Sequence, residues 1–425
     1  MSAPRLPLTL NLRLSVMMYL QYAIWGAWLP LFFSFLTEHR KIPGEDAGML
    51  FSIAAIGALA APFIAGQIAD RWFNTERFLA ISHLAGAALV WQLATVETYE
   101  GFVVFGLLYS LIYAPTLPLT NSLAFHHLPD RDRDFGKVRV WGTVGWICVG
   151  IGIGQWLLYR HTPPGVADPR PFQVAGMADA FRLSAILGVM LGVYCLTLPK
   201  TPPQPGRRKF APLEALGHVK RRPLLALFLI SFPIACVHQF YFVHTAGFLG
   251  TLKHPLAEKI DVVFCVGGGG LMTIGQIAEI FVIALMAPAA KRFSRKTLLT
   301  VGLCAYIARF AVFAYLPTPA AVIPALALHG LVFGCFFFVC FLIVDENTTP
   351  DVRASAQGLF NFVIIGLGTI VGNLFAGWVA GRARPTPEAT MDFEMLFGIP
   401  MWICVASLVA LRVAYPGGKG ATAPS

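Results

Sequence analysis

Twelve runs of about 20 mostly apolar residues punctuate this chain of 425. They lie at roughly 14–36, 47–70, 78–97, 101–125, 138–159, 179–198, 224–249, 261–287, 297–316, 320–345, 354–380 and 393–414, and ~20 such residues as helix cross ~30 Å of hydrocarbon. In lipid every backbone N–H and C=O must be bonded within a helix or a closed barrel. The two-residue alternation of barrel strands is absent. The runs therefore predict an all-α membrane protein with twelve transmembrane helices. A mean hydropathy of +0.67 places the chain in the same class.

One stretch interrupts the apolar pattern. Pro199 to Arg222 holds seven Lys/Arg, five prolines and one acid. Proline and charge at that density fit neither a bilayer nor a packed core. The stretch predicts an N-terminal six-helix lobe, 1–198, a cytoplasmic basic linker, 199–222, and a C-terminal six-helix lobe, 223–425. With the N-terminus inside, 22 of the 32 Lys and Arg fall on the inner side and 8 on the outer side. That bias predicts both termini in the cytoplasm. It also accounts for the net charge of +10 without a nucleic-acid surface. The first run is too long for the apolar part of a signal peptide and reads as the first helix.

The eight cysteines all fall in predicted helices without CxxC spacing, and read as packing residues rather than metal ligands or disulfides. The glycines at 267–270 lack the GK[ST] of a phosphate loop and read as a loosened start of the eighth helix. No catalytic triad, metal cluster or nucleotide-hydrolysis motif stands out. The expectation is no enzyme, no cofactor and no metal.

Between the second and third runs stands Gly66-Gln67-Ile68-Ala69-Asp70-Arg71, and the eighth and ninth are joined by Ala290-Lys291-Arg292-Phe293-Ser294-Arg295-Lys296. The first resembles the G-x-x-x-D-R signature of the major facilitator superfamily, with Gly66, Asp70 and Arg71 as its conformational motif. The second is its echo. Two six-helix pseudo-repeats are the fold that this implies. Four further strings add to it: Gln21-Tyr22-Ala23-Ile24-Trp25-Gly26-Ala27-Trp28, Tyr113 to Ser122, Arg139 to Trp146, and Arg353 to Gly358. Together they resemble the bacterial nucleoside:proton symporters. The resemblance implies a multi-pass carrier of the cell inner membrane, working by alternating access as a monomer in lipid, with a nucleoside and protons as partners. The residues alone leave open a uniporter, a carrier of another polar solute such as a sugar or drug, or a sensor that does not transport.

Arg139, Thr143 and Trp146 are spaced i, i+4, i+7, on one stripe of the fifth helix. Their depths are ~5, ~10 and ~15 Å from the cytoplasmic side. Arg139 reads either as a snorkelling anchor or as a cation for a polar aromatic solute. Gln276 and Glu279 share a face of the eighth helix, with Glu279 ~12 Å deep. An acid there costs ~2.5–3.5 kcal/mol, so it needs a wet cavity, a partner or a proton. Arg309, ~18 Å deep, pairs either with Glu279 or with another cavity group. Tyr22 and Trp25 share a face of the first helix, beside Gln21.

The resemblance implies that Arg139, Thr143, Trp146, Gln239, Gln276 and Glu279 line the nucleoside site. It places Phe333 there as a stacking surface. Phe242 stands where some relatives carry a second amide, so base recognition relies more on stacking. His238 reads as a hydrogen-bonding neighbour. Gly334 stands where the resemblance implies a proton-coupling aspartate, which leaves Glu279 and Arg309 as the coupling candidates. Phosphates would need more cations than Arg139 and Arg309 supply, so neutral nucleosides are the expected cargo.

Topology is directly testable. Reporters fused after Ser425 and inserted within 200–210 are both expected to read out on the cytoplasmic side. Opposite readings would mean an odd number of helices between them and would remove the repeat.

Overall fold

The structure, a computed structural model, describes residues 4–42, 46–47, 49–50, 53, 56–57, 59–60, 73–166, 169–202, 216–217, 219–220, 222–252, 254–255, 259–260, 267–349, 352–384 and 390–416. The helices are α1 (Leu8–Trp28), α2 (Thr75–Leu93), α3 (Tyr99–Tyr113), α4 (Thr116–His127), α5 (Arg131–Trp156), α6 (Ala178–Cys195), α7 (Leu224–Thr251), α8 (Thr273–Arg292) and α9 (Arg295–Tyr315). The last three are α10 (Pro319–Glu346), α11 (Ser355–Ala383) and α12 (Phe393–Ala414). The fourth apolar run forms both α3 and α4, because Pro115 brings no N–H to the helix ladder at their junction. The third run is α2, and the fifth to twelfth runs are α5 to α12. Of the second run, 47–70, the described residues are helical and those from 61 on lie outside the described residues. So do Gly66, Asp70, Arg71 and most of the linker.

Helix starts follow local chemistry. The Asp130 side chain accepts from Arg133 N at 3.0 Å and caps α5, and Ser294 accepts from Thr297 N at 3.1 Å and caps α9. The glycine run behaves as expected of residues without side chains. Gly267–Met272 is a tight 3-10 turn, and α8 proper begins only at Thr273. Wide π-type turns interrupt α10 at Phe333–Phe338 and α11 at Phe362–Leu367.

The two halves repeat one packing scheme. In the first, α1 packs on α5 and α6, and α2 on α6. In the second, α7 packs on α11 and α12, and α9 on α12. In membranes, helix association rests on close packing and polar contacts rather than on hydrophobic burial. Large apolar side chains accordingly face outward, among them Leu229, Phe281, Leu374, Trp402 and Val413. The halves meet where α5 lies against α8 and where α4 meets the start of α11.

The first and last described segments lie at one end of the bundle. Arg133 donates to Pro4 O at 2.6 Å, and Lys296 donates to Arg412 O at 2.9 Å and Tyr415 O at 2.7 Å. At this terminal end Asp345, on α10, is paired with Arg131 of the other half at 2.6 Å and with Arg353 at 2.5 Å. Arg295 pairs with Glu346 at 2.5 Å, so the basic connection between α8 and α9 is held to the end of α10. One layer further in, the rings of Phe135 and Phe338 stack at 5.4 Å across the same boundary. The terminal end is thus closed between the halves.

This closure has an unequal energetic structure. The Asp345 side chain is 1% exposed, whereas in the Arg170–Glu38 pair the side chains are 34% and 42% exposed. Removing one partner of a buried pair strands the other charge and costs about 3–5 kcal/mol. An exposed pair is worth about 0–1 kcal/mol. Asp345→Asn is therefore expected to lower unfolding stability in detergent severalfold more than Glu38→Gln, as read by denaturant midpoints.

Candidate substrate site

From the closed end upward, α5, α8 and α10 approach closely. Gly136 on α5 lets the Ile283 carbonyl come within 3.0 Å of where a Cβ would stand. On α10, a Cβ at Gly330 would sit 2.5 Å from the Ala278 carbonyl carbon, and one at Gly334 would sit 2.5 Å from Val282 Cγ1. These contacts bring the polar side chains of three helices into one cluster.

The stripe on α5 faces this cluster. Arg139, 7% exposed, lays its guanidinium over the Tyr22 ring at 4.2 Å and faces Phe333 at 5.4 Å. Such contacts suit a planar, weakly hydrated cation. Its Nη1 is buried with no hydrogen-bond partner among the described residues. One turn on, Thr143 donates to Glu279 Oε1 at 2.6 Å, across the boundary between the halves. One turn further, Trp146 sits edge-on to Trp25 at 6.0 Å. Trp146 and Gln276 share the wall of a cavity of about 60 Å³ with Gly26, Pro30, Met272 and Thr273. Small-molecule pockets usually occupy ~300 Å³ or more. A solute the size of a nucleoside enters only if the halves part here.

The other predicted residues are placed as follows. Gln239 donates to Thr369 of α11 at 3.4 Å, away from the Thr143–Glu279 contact. Phe242 is half exposed, with its ring edge-on to His238 at 5.3 Å. His238 Nδ1 meets Tyr306 Oη at 2.6 Å, which makes it the hydrogen-bonding neighbour that the sequence described. Gln21 is fully buried and donates to Thr116 of α4 at 2.9 Å, so it braces the first half while Tyr22 and Trp25 reach the site.

Arg309 does not pair with Glu279. It is wholly buried, its Nη1 meets His329 Nδ1 at 3.1 Å, and its guanidinium lies over Tyr241 at 4.0 Å. His329 stands between the two charges, with Nε2 3.8 Å from Glu279 Oε2. Sequence reasoning passed over His329. The available signal was a titratable residue in the middle of an apolar run, four residues before Phe333 and so on its face.

Two halves that repeat one packing scheme among the described residues, with a polar cluster between them, are the architecture of a membrane transporter of the major facilitator class. The superfamily expectation is met by solved structures: nucleoside transporter NupG, with TM-score 0.70 and 26% identity over 96% of this chain and 99% of that one, and the fucose:proton symporter FucP of Escherichia coli, with TM-score 0.70 at 14% identity. The second of these likenesses is one of fold alone. A family model described as nucleoside H+ symporter matches residues 8–416, and the chain belongs to that family. It is 32% identical to YegT of Escherichia coli (strain K12), over 94% of this chain and 91% of that protein. It is 29% identical to the nucleoside permease NupG of the same organism, over 88% of each chain. The xanthosine permease of that organism is also 29% identical, over 87% of this chain and 88% of its own. The protein is a transporter, not an enzyme.

The packing at Gly334 leaves little room for a side chain. An aspartate would push its Cβ into Val282, 2.5 Å from Cγ1. Gly334→Asp is expected to cost about 1–3 kcal/mol through overpacking. Val282→Ala in the same chain is expected to recover much of that loss in thermal unfolding of the purified protein. Equal stability of Gly334→Asp and the parent would contradict the geometry.

Proposed function

We propose that this chain takes up neutral nucleosides across a bacterial inner membrane with protons, by rocking of lobes 1–198 and 223–425 on the linker 199–222. Both termini then lie in the cytoplasm, and the closed terminal end is the cytoplasmic gate. The protein works as a monomer in lipid and needs neither nucleic acid nor cofactor. The observation that carries this reading is the Thr143–Glu279 hydrogen bond between the halves, directly below the cavity bounded by Trp146 and Gln276.

Each group has a task that its chemistry suits. When the halves part, Trp146 and Phe333 offer rings for base stacking, and Arg139 offers an unpaired donor to a base carbonyl. Gln276 can both donate and accept, and Glu279 accepts from a ribose diol. Gln239 joins them only once its contact with Thr369 is released. Nucleoside would thus replace the contacts that now hold the halves together, so empty and loaded forms both satisfy these groups. Glu279 serves the proton as well as the sugar.

Removing the charge at Glu279 while keeping its shape tests this. A hydrogen bond to a charged group is worth about 1.5–3 kcal/mol, or roughly tenfold to a hundredfold in affinity. Glu279→Gln is expected to weaken uridine and adenosine binding by that factor, measured by thermal shift or isothermal titration. In proteoliposomes it should retain at most downhill exchange, while the parent concentrates nucleoside under an inward proton gradient. Undiminished binding by Glu279→Gln would sink the assignment, and a parent that never exceeds equilibrium would be a uniporter.

A further inference from the structure

The contacts of Arg309 fix the state of the histidine beside Glu279. A guanidinium has only N–H donors and no acceptor. Its 3.1 Å contact with His329 Nδ1 therefore requires that Nδ1 carry the lone pair. The ring is then neutral, with its one proton on Nε2, because an imidazolium would meet Arg309 donor to donor. Nε2 is the nitrogen that faces Glu279 Oε2, at 3.8 Å. The protonated nitrogen is thus the one nearest the carboxyl, about 1 Å beyond a normal N–H···O contact.

The ring is also prevented from turning. It lies nearly parallel to the rings of Tyr241 at 5.0 Å and 19° and of His238 at 5.9 Å and 22°. Its backbone is pressed onto α8, where a Cβ at Gly275 would come within 2.7 Å of His329 Cβ. Glu279 is faced by Thr143 and Arg139 from α5 and by Tyr241 from α7. Tyr22 of α1 lies beyond Arg139, and Arg309 and Tyr306 of α9 and His238 of α7 lie behind His329. Of these, His329 places a donor nitrogen 3.8 Å from Oε2, the oxygen that Thr143 does not bond.

We propose that His329, held by Arg309, is the positioning residue that lets Glu279 give up its proton during transport, in a chain whose α10 has no acid at Gly334. This rests on the reading of Glu279 as the proton carrier. When the Glu279 O–H bond breaks, its electron pair stays on the carboxylate and the proton leaves to water. His329 Nε2–H then closes onto Oε2 and bonds the new charge, while His329 itself neither gains nor loses a proton. Thr143 bonds the other oxygen only while the halves are together. The histidine belongs to the same half as Glu279 and stays with it through the whole cycle.

The test compares two amides at position 329 in purified full-length protein, reconstituted in liposomes. A glutamine amide reaches about as far as Nε2, whereas an asparagine amide reaches only about as far as Nδ1, within range of Arg309 but short of Glu279. Two activities are read with labelled uridine: exchange at equal pH, which needs no net proton release, and accumulation under an inward proton gradient. His329→Gln is expected to accumulate uridine within about twofold of the parent. His329→Asn is expected to lose accumulation tenfold or more while exchange falls no more than about threefold. Accumulation by His329→Asn that matches the parent overturns the proposal, as does equal loss of accumulation in both variants with exchange intact. Collapse of exchange and accumulation together in both, with normal thermal unfolding, would make His329 a substrate contact and overturns it too. A parent that exchanges no nucleoside at all fails differently, because it removes the substrate reading before position 329 is compared.

Discussion

The hydrogen bond from Thr143 to Glu279 is where the two halves of this molecule touch at mid-span. A carboxyl at this depth costs ~2.5–3.5 kcal/mol, and one leucine returns only ~0.3–0.6. The surroundings of Glu279 reflect that imbalance. Arg139 is held between Tyr22 and Phe333 on one side, His329 stands on the other, and a small cavity opens above. The glycines of α5 and α10 matter because they allow helices to come close enough for such short polar side chains to meet. Any movement that separates α5 from α8 at this level breaks the Thr143 contact. A solute able to hydrogen-bond Glu279 then compensates for the loss, which makes occupancy and lobe position interdependent.

Much of this was legible in the chain. The apolar runs and the lipid constraint on the backbone leave an all-α bundle. The i, i+4, i+7 spacing put Arg139, Thr143 and Trp146 on one stripe, and the structure turns that stripe toward the other half. Sequence gives depth along a helix to within a turn. It does not give the rotation of one helix against another, which depends on packing. Gln239 and Glu279 have overlapping depths, yet the amide is turned onto α11 by the close fit of its chain against Gly372. Arg309 likewise lies at a depth compatible with Glu279, but a side chain from α10 intervenes. Pro115 was visible, and its division of one apolar run into two helices is a local effect that a run count passes over.

Helix α10 shows how the removal of one charged group shapes its neighbours. With glycine at 330, α10 lies against the α8 backbone at a distance that no side chain there would permit, and at 334 a side chain would meet the Val282 methyl. That close approach carries His329, rather than a carboxyl at 334, to the edge of Glu279. A second acid here would repel the first across a low-dielectric gap. A neutral donor does not, and it needs only a group behind it to fix its tautomer.

Arg309 supplies that group, and the energetics tie the two residues together. The guanidinium is wholly buried and surrounded by Tyr241, Tyr306 and Phe310 at 4.0, 5.1 and 5.3 Å. Each such contact contributes about 0.5–2 kcal/mol. The effective penalty for taking an ion out of water is several kcal/mol, comparable to all three together. Stacking alone therefore leaves little margin for a charge at this depth. The His329 lone pair gives the cation a directional acceptor, and a hydrogen bond to a charged group adds about 1.5–3 kcal/mol. The histidine steadies the arginine as much as the arginine orients the histidine. A change at either position is felt at the other, and through Nε2 it is felt at the carboxyl where the halves meet.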